Sequence, residues 1–486
     1  MPVNRAHNFV FRPANAALFT AAALAGAAIY AQAQSANPTS ASNPFFGSVT
    51  MQPANGELLK LSLDDAIRRG LKNNLGIKEA EYGEKTLQGE KNEAIQEFLP
   101  TITLTADTGI YQHNLAALGF SSSVAGHFAS LLPSGAKFSP ITRDDLTEGQ
   151  IHFEQTLFSG PVIAGYKAVG AAERVAYYTT ESAIGQVVQN VATAYLQAIA
   201  AASEVDDATA REQQAEVLLN NANEAHQAGT VPRLDLLRAQ VELQSEQQAV
   251  IAAQDNLEKD LILLKREIGI TPGQKVDLTD RAPYSELALQ TPAEVLAVAY
   301  KNRQNYQNLI SQVAEDKAIH AAYRSQRWPT LKFNSYYAVS KVNGVGSHGN
   351  FAAIGTLSVP IFKEAGLRGD IDAAKAQLDS ANAQLADLRT QIDEQVRDAL
   401  LDVAAAQKLV DVARSNVALA TRALSDETDR VNAGVDNNLP LVTAQATLAS
   451  AQTNLVQSLY QYNVAKLGLA RAAGVILTQY RAYLGR

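Results

Sequence analysis

Between Thr101 and Asp107 apolar and polar side chains alternate without a break. Ile102, Leu104 and Ala106 fall on one side, and Thr101, Thr103, Thr105 and Asp107 on the other. A period of two is the mark of a strand with one apolar face. The phase recurs further on, where Leu331, Phe333 and Val339 stand against Lys332, Asn334 and Tyr336. A return strand follows each. Ile151, Phe153 and Leu157 alternate with His152 and Glu154, and Leu357, Val359 and Ile361 with Thr356 and Ser358. Four strands of about 10 residues are expected, the length that crosses a bilayer as barrel strands.

The rest of the chain is written in a helical period. Leu63 to Leu99 opens with Ser62 at an N-cap position and Asp64-Asp65 in the first turn, where acids complement the helix dipole. Val162 to Val231 contains no proline, and Pro161 stands at its start, where a missing N–H costs nothing. Arg233 to Thr271 is a third stretch. Ala293 to Trp328, Ile361 to Leu439 and Leu441 to Gly474 repeat the set. Alanine, glutamine, leucine and charged residues fill all six, the composition of long packed helices. At a rise of about 1.5 Å per residue the longest would span ~100 Å.

The pattern is a duplication. Lys72-Asn73 returns as Lys301-Asn302 and Pro100-Thr101 as Pro329-Thr330, at an offset of 229 (301 − 72). Ala228-Gly229 returns as Ala433-Gly434, Ala239-Gln240 as Ala444-Gln445, and Arg266 and Gly269 as Arg471 and Gly474, at an offset of 205 (433 − 228). The first copy therefore holds about two dozen extra residues between Pro100 and Phe158 (229 − 205). The Gly, Ser and Pro content of His113 to Asp144 places them in a long loop between strands. A unit this long used twice predicts a pseudo-two-fold protomer.

Residues 1–34 read as a secretory signal, with Arg5 and Arg12 before the apolar Ala16–Ile29 and a small-x-small Ala31-Gln32-Ala33. Residues 35–57 read as a flexible leader, 58–275 as the first repeat, and 276–486 as the second repeat with a C-terminal tail. Pro272 to Pro292 is expected to link the halves outside the long helices. Removal of the signal leaves a net charge of −10 (39 − 49), which argues against nucleic acid. The chain has no cysteine, which excludes disulfides, thiolate metal sites and thiol nucleophiles. The histidines of the remaining chain have no ligand spacing, and no HExxH, P-loop or nucleophile-elbow pattern occurs. No enzyme, cofactor or metal is expected.

Aromatic residues near the strand ends (Phe98, Tyr111, Trp328 and Tyr336) suit the girdles of a membrane barrel. Four strands cannot close one, because the smallest known barrels have about eight. An open edge is not tolerated in lipid, so several chains must contribute, and two or three copies both satisfy the geometry. Thr103, Asp107, His152, Glu154 and Lys332 would then line the lumen, and Ile102, Leu104, Phe333 and Leu357 would face lipid. A secreted or periplasmic coiled-coil adaptor or structural protein without a pore would account for the helices, but not for the repeated strand phase.

Several motifs in this order resemble the TolC-like outer-membrane efflux proteins. They are the opening Leu61-Ser62-Leu63-Asp64-Asp65-Ala66-Ile67, the junctions Phe98-Leu99-Pro100-Thr101-Ile102 and Arg327-Trp328-Pro329-Thr330-Leu331, and the exits Leu157-Phe158-Ser159-Gly160 and Val359-Pro360-Ile361-Phe362. The tip Ala228-Gly229-Thr230 with Leu234-Asp235-Leu236-Leu237 completes the set. The likeness runs from about Leu61 to Val475. It implies a homotrimer with a twelve-stranded outer-membrane β-barrel and a long α-helical barrel across the periplasm. It also implies a passive role, with export of drugs, toxic molecules or proteins driven by an inner-membrane transporter through a periplasmic adaptor. The adaptor-docking tips would be Gly229 and Thr230 with Gly434 and Val435. Asp235 matches the acidic gate residue of relatives. Their partner tyrosine is Val431 here, their arginine is Asp436, and their acidic-ring positions carry Pro440 and Thr443. Arg233 and Arg430 are the remaining cations to hold Asp235.

Overall fold

The computed structural model describes residues 43–49, 51–54, 56–114, 117, 141–280, 284–342, 346–433 and 438–485. The chain divides into two compact units, each drawing on both repeats rather than following the boundary between them.

One unit takes Thr86–Ala171 and Gln312–Ala381. Its centre is a four-stranded antiparallel sheet of β2 (Thr101–Asn114), β3 (Ile141–Phe158), β5 (Thr330–Val342) and β6 (His348–Ser358), in the order β2-β3-β5-β6. The strands of the first copy are longer than their alternation suggests. His113 pairs with Thr142 and Asn114 with Ile141, so the outer parts of the expected loop are strand. Its middle lies outside the described residues. β3 carries a bulge between Thr156 and Phe158. β6 stops at Ser358, short of the expected Ile361, because Pro360 has no N–H for a ladder.

The other unit takes the chain up to Lys85, Ala172–Ser311, and the chain from Asn382. It holds α1 (Leu63–Asn73), most of α3 (Gly160–Gln227), α4 (Arg233–Ile268), α5 (Pro292–Asn302), most of α7 (Glu364–Asn432), α8 (Asn438–Ala472) and α9 (Ile476–Tyr483). The stretches expected as single helices before β2 and β5 are each broken. α1 gives way to α2 (Leu75–Gln96) at Asn74, and α5 to α6 (Gln304–Ser325) at Arg303. Both break residues are extended, with ψ 134° and 120°. Asn74 Oδ1 accepts from Gly76 N and Ile77 N, which caps α2 and makes the break stable. The repeated Lys-Asn pair immediately precedes each break.

Tyr195, Leu264, Ile268, Ile392 and Tyr462 lie fully buried in the core of this unit, packed with Leu61 and Leu63. β1 (Leu59–Leu61) pairs in parallel with β4 (Val276–Leu278), so the linker between the repeats contains a strand. Asp280 Oδ2 accepts from Leu63 N at 2.7 Å and lies 3.0 Å from Tyr195 Oη. This fixes the start of α1 to the linker. Further along, Arg414 stacks on the Tyr284 ring at 3.5 Å and Leu287 N donates to Tyr462 Oη at 3.0 Å.

Residues 43–49 and 51–54 dock on the helices, where composition alone suggests a flexible leader. Asn74 Nδ2 donates to Phe45 O at 2.7 Å, Val49 N to Asn73 O at 2.8 Å, and Gln52 N to Gly269 O at 3.0 Å. A Cβ at Gly76 would run into the Phe45 ring, so glycine makes the seat for that side chain. Composition reads the segment as polar, while the one aromatic that anchors it is a tertiary matter. Residues 1–42 lie outside the described part.

Candidate functional site

Antiparallel register carries a face across a sheet, because directly opposed residues point the same way. Ile102 opposes Phe153, Leu104 opposes Ile151, and Ile151 opposes Tyr337, which opposes Phe351. Leu331 opposes Leu357. The four strands therefore share one apolar face. Ile102, Leu104, Phe351 and Leu357 on it are each more than three-fifths exposed.

The other face gathers the polar residues read from the sequence. Thr103 opposes His152, which opposes Tyr336, and Asp107 opposes Glu148. Thr101 opposes Glu154, which opposes Asn334. Lys332 Nζ reaches Glu154 Oε1 at 3.6 Å, and the His152 and Tyr336 rings are 5.8 Å apart. All five predicted polar residues thus fall on one surface, with Glu154 and Lys332 in contact.

The first helix tip lies in the other unit. α3 ends in a Schellman turn: Thr230 N donates to Ala225 O at 2.9 Å, and Gly229 N to His226 O at 3.0 Å. Gly229 has φ +74°, and nothing lies within 4 Å of where its Cβ would be. Thr230 Oγ1 also donates to Ala225 O at 2.8 Å. Gly434, Val435 and Asp436 lie outside the described residues.

Asp235 lies in the first turn of α4 and accepts from Arg238 at 3.2 Å, one turn along the helix. The expected cations do not meet it. Arg233 is exposed, and Arg430 stands 3.7 Å from Glu427. Val431 packs with Leu218, Ala222, Ala239 and Leu441, an apolar cluster that joins α3, α4, α7 and α8 near the tip.

A polar cluster farther along these helices was not legible from spacing. Arg211, 13% exposed, reaches Glu246 at 3.1 Å and Glu204 at 3.4 Å, and Thr453 Oγ1 donates to Glu204 Oε1 at 3.2 Å. Burial pushes the nearby Asp207 and Glu242 carboxyls up. The residues come from α3, α4 and α8, so only their packing brings them together. Among the described residues, no group of His, Asp and Glu could hold a metal ion, and no helix is long and apolar enough to cross a membrane.

A sheet with one apolar and one polar face and two helices of 68 and 69 residues make up the class of outer-membrane duct proteins built from strands and long helices. The sequence model of the outer membrane efflux protein family matches residues 66–269 and 295–475, and the chain belongs to that family. The two matched blocks begin 229 residues apart (295 − 66), the offset of the internal repeat. Nodulation protein T of Rhizobium leguminosarum bv. trifolii is 22% identical over 244 residues, covering 48% of this chain and 51% of that protein. The chain thus matches about half the length of that curated relative. A membrane protein from Pseudomonas aeruginosa has the same fold, with a TM-score of 0.72 at 18% identity over 85% of this chain and 93% of that one. The CmeC outer membrane channel of Campylobacter jejuni superposes with a TM-score of 0.70 at 16% identity over 92% and 94%. The family locates the chain in the outer membrane and sets aside the pore-less coiled coil.

Proposed function

We propose that three copies of this chain form a passive duct, a twelve-stranded barrel in the outer membrane continued by a helical barrel in the periplasm. The duct is the outer component of a tripartite efflux or secretion system, completed by a periplasmic adaptor and an inner-membrane transporter that supplies the energy. The observation that carries this reading is the sheet. It has an apolar face that runs across all four strands, and among the described residues β2 and β6 each have a strand neighbour on one side only. In hydrocarbon an unpaired edge leaves its outward-pointing N–H and C=O groups unsatisfied at a cost of several kcal/mol each, so the sheet must close with other copies. Thr103, Asp107, His152, Glu154 and Lys332 line the water-filled side. The adaptor docks at Gly229 and Thr230 and at Gly434 and Val435, and Asp235 belongs to the constriction behind them.

The test is deletion of the gene and complementation. The deletion strain should become sensitive to toxic compounds, or lose a secreted product, and the intact chain should restore the phenotype. Detergent-extracted protein should have the mass of three copies, and a monodisperse single copy with intact β-signal would overturn the duct.

A further inference from the structure

The long helical hairpins hold themselves together by one kind of contact and meet each other by another. Within the first, Ala208 of α3 packs with Val250 and Ala253 of α4. Within the second, Ala420 of α7 packs with Leu448 and Ala451 of α8. Between them lies a cavity of about 30 Å³, whose polar lining includes Asp207 and Arg211 of α3, Glu242 and Glu246 of α4, and Gln445 and Gln452 of α8. At this level the apolar clusters lie inside each hairpin, and charged and amide groups meet across the seam between α8 and the pair α3–α4.

The charges on that seam do not balance. Arg211 is the one cation of the lining among the described residues, and it reaches Glu246 at 3.1 Å and Glu204 at 3.4 Å. Its buried Nη1 has no partner among them. With Asp207 and Glu242, four carboxyl groups stand around one guanidinium. Asp206 adds to the negative field at Asp207, which Arg211 partly offsets. α8 brings amides to the lining and no charge, and its Thr453 hydroxyl donates to Glu204 Oε1 at 3.2 Å. Burial keeps protons on Asp207 and Glu242, with Glu204 adding to it at the first and Glu246 at the second.

We propose that these residues form a pH-sensitive joint that holds α8 against α3 and α4 in acid and loosens as Asp207 and Glu242 ionise. While both are protonated, Arg211 faces two carboxylates. Once they ionise, three negative charges are left over (4 − 1) in a half-buried site, where like charges repel more strongly than in open water. The packed chain keeps these protons above the ordinary values of 3.8 and 4.5, where a parted seam has released them. The contribution to packing is therefore full in acid and lost as pH rises through the raised values. The hairpin interiors are apolar at this level, so the seam gives way and the hairpins stay whole. α8 starts at Asn438, four residues past Gly434 (438 − 434), so the joint bears on the second tip. That consequence rests on the docking role proposed above, whereas the joint itself lies within one chain.

Hydrogen exchange on the full chain in detergent tests the joint, because local opening sets the protection of each amide. Corrected for the intrinsic rate, protection of residues 445–453 should fall several-fold between pH 4.5 and pH 7.5. Asp207→Asn/Glu242→Gln protein should keep the acid level at both. Equal protection of the unaltered chain at the two pH values overturns the joint, and so does a fall that survives in the double variant. Should the double variant fail to fold, Glu242→Gln alone decides, since a smaller fall supports the joint and an unchanged one overturns it. A native mass of one copy would overturn the duct, while the exchange result still decides the joint.

Discussion

Two glycines show how differently one residue type is used. Gly229 and Gly474 both take a left-handed conformation, φ +74° and +72°, to end a long helix in the same Schellman turn. A side chain at Gly229 meets open space, so Gly229→Val costs only backbone strain, about 1–3 kcal/mol. At Gly474 a Cβ would lie 2.6 Å from Arg303 N and 2.8 Å from Arg303 Cα, backbone atoms at a helix break. Gly474→Ala should therefore lower the yield of folded protein sharply, while Gly229→Val leaves assembly intact and reduces export through tip shape. Comparing membrane levels with export for the two variants checks this. Normal export with Gly229→Val would remove that tip from docking. A second prediction concerns Glu267, 1% exposed, whose Oε2 has no hydrogen-bond partner. Burial raises its pKa from 4.5 to about 8, a shift that Arg266 partly opposes. The folded chain then holds a proton that the unfolded chain releases above pH 4.5. The associated stability is full below that pH and is lost as pH rises through about 8, on the order of a few kcal/mol. Glu267→Gln should raise the unfolding temperature at pH 8.5 more than at pH 5. Equal shifts at both would locate the effect elsewhere.

At the scale of elements, α7 shows what keeps a 69-residue helix straight enough to pack. Leu367, Ala374, Ala381 and Leu388 are buried seven residues apart, and Val396, Val403 and Val410 continue the spacing. Between the two series the step lengthens once, through Ile392. A sustained period of seven imposes a left-handed supercoil, and such a shift relaxes it locally. The sheet makes a sharper prediction. Leu104 and Thr103 are neighbours in β2, yet register sends them to opposite faces, Leu104 with Ile151 and Thr103 with His152. An arginine on a lipid-facing position near the midplane costs about 2–4 kcal/mol, and one in the lumen much less. Leu104→Arg should thus reduce heat-resistant oligomer in outer membranes, while Thr103→Arg should preserve it. Equal levels would reverse the assignment of faces.

For the whole molecule, three copies would supply twelve strands and remove every open edge. Extracted protein should therefore resist dissociation in mild detergent as one species of three-copy mass, measured by light scattering with the detergent subtracted. The family match, in two blocks at the repeat offset, supports the same pseudo-two-fold plan.

Much of this was written in the order of residues alone. The strand phase needs only neighbours in sequence, since side chains alternate on any extended backbone, and that phase separated Thr103, His152 and Lys332 from Leu104 and Phe333. The tip at Gly229 was legible because only glycine takes a left-handed turn without strain. Packing decided the rest. The breaks at Asn74 and Arg303 follow a shared Lys-Asn pair but use different residues, because Asn74 caps the next helix locally through Gly76 N and Ile77 N, whereas Arg303 is held by Ala472 O and Gln395, far off in sequence. The docking of residues 43–49 and 51–54 rests on the Phe45 ring seated at Gly76 and on hydrogen bonds with Asn73, Asn74 and Gly269. Asp235 found Arg238 rather than Arg233 because i and i+3 share a helix face, whereas i and i+2 do not. Local pattern determined which way each side chain points along its own element. Only the tertiary structure could decide what it meets there, because contacts join residues that the sequence holds far apart.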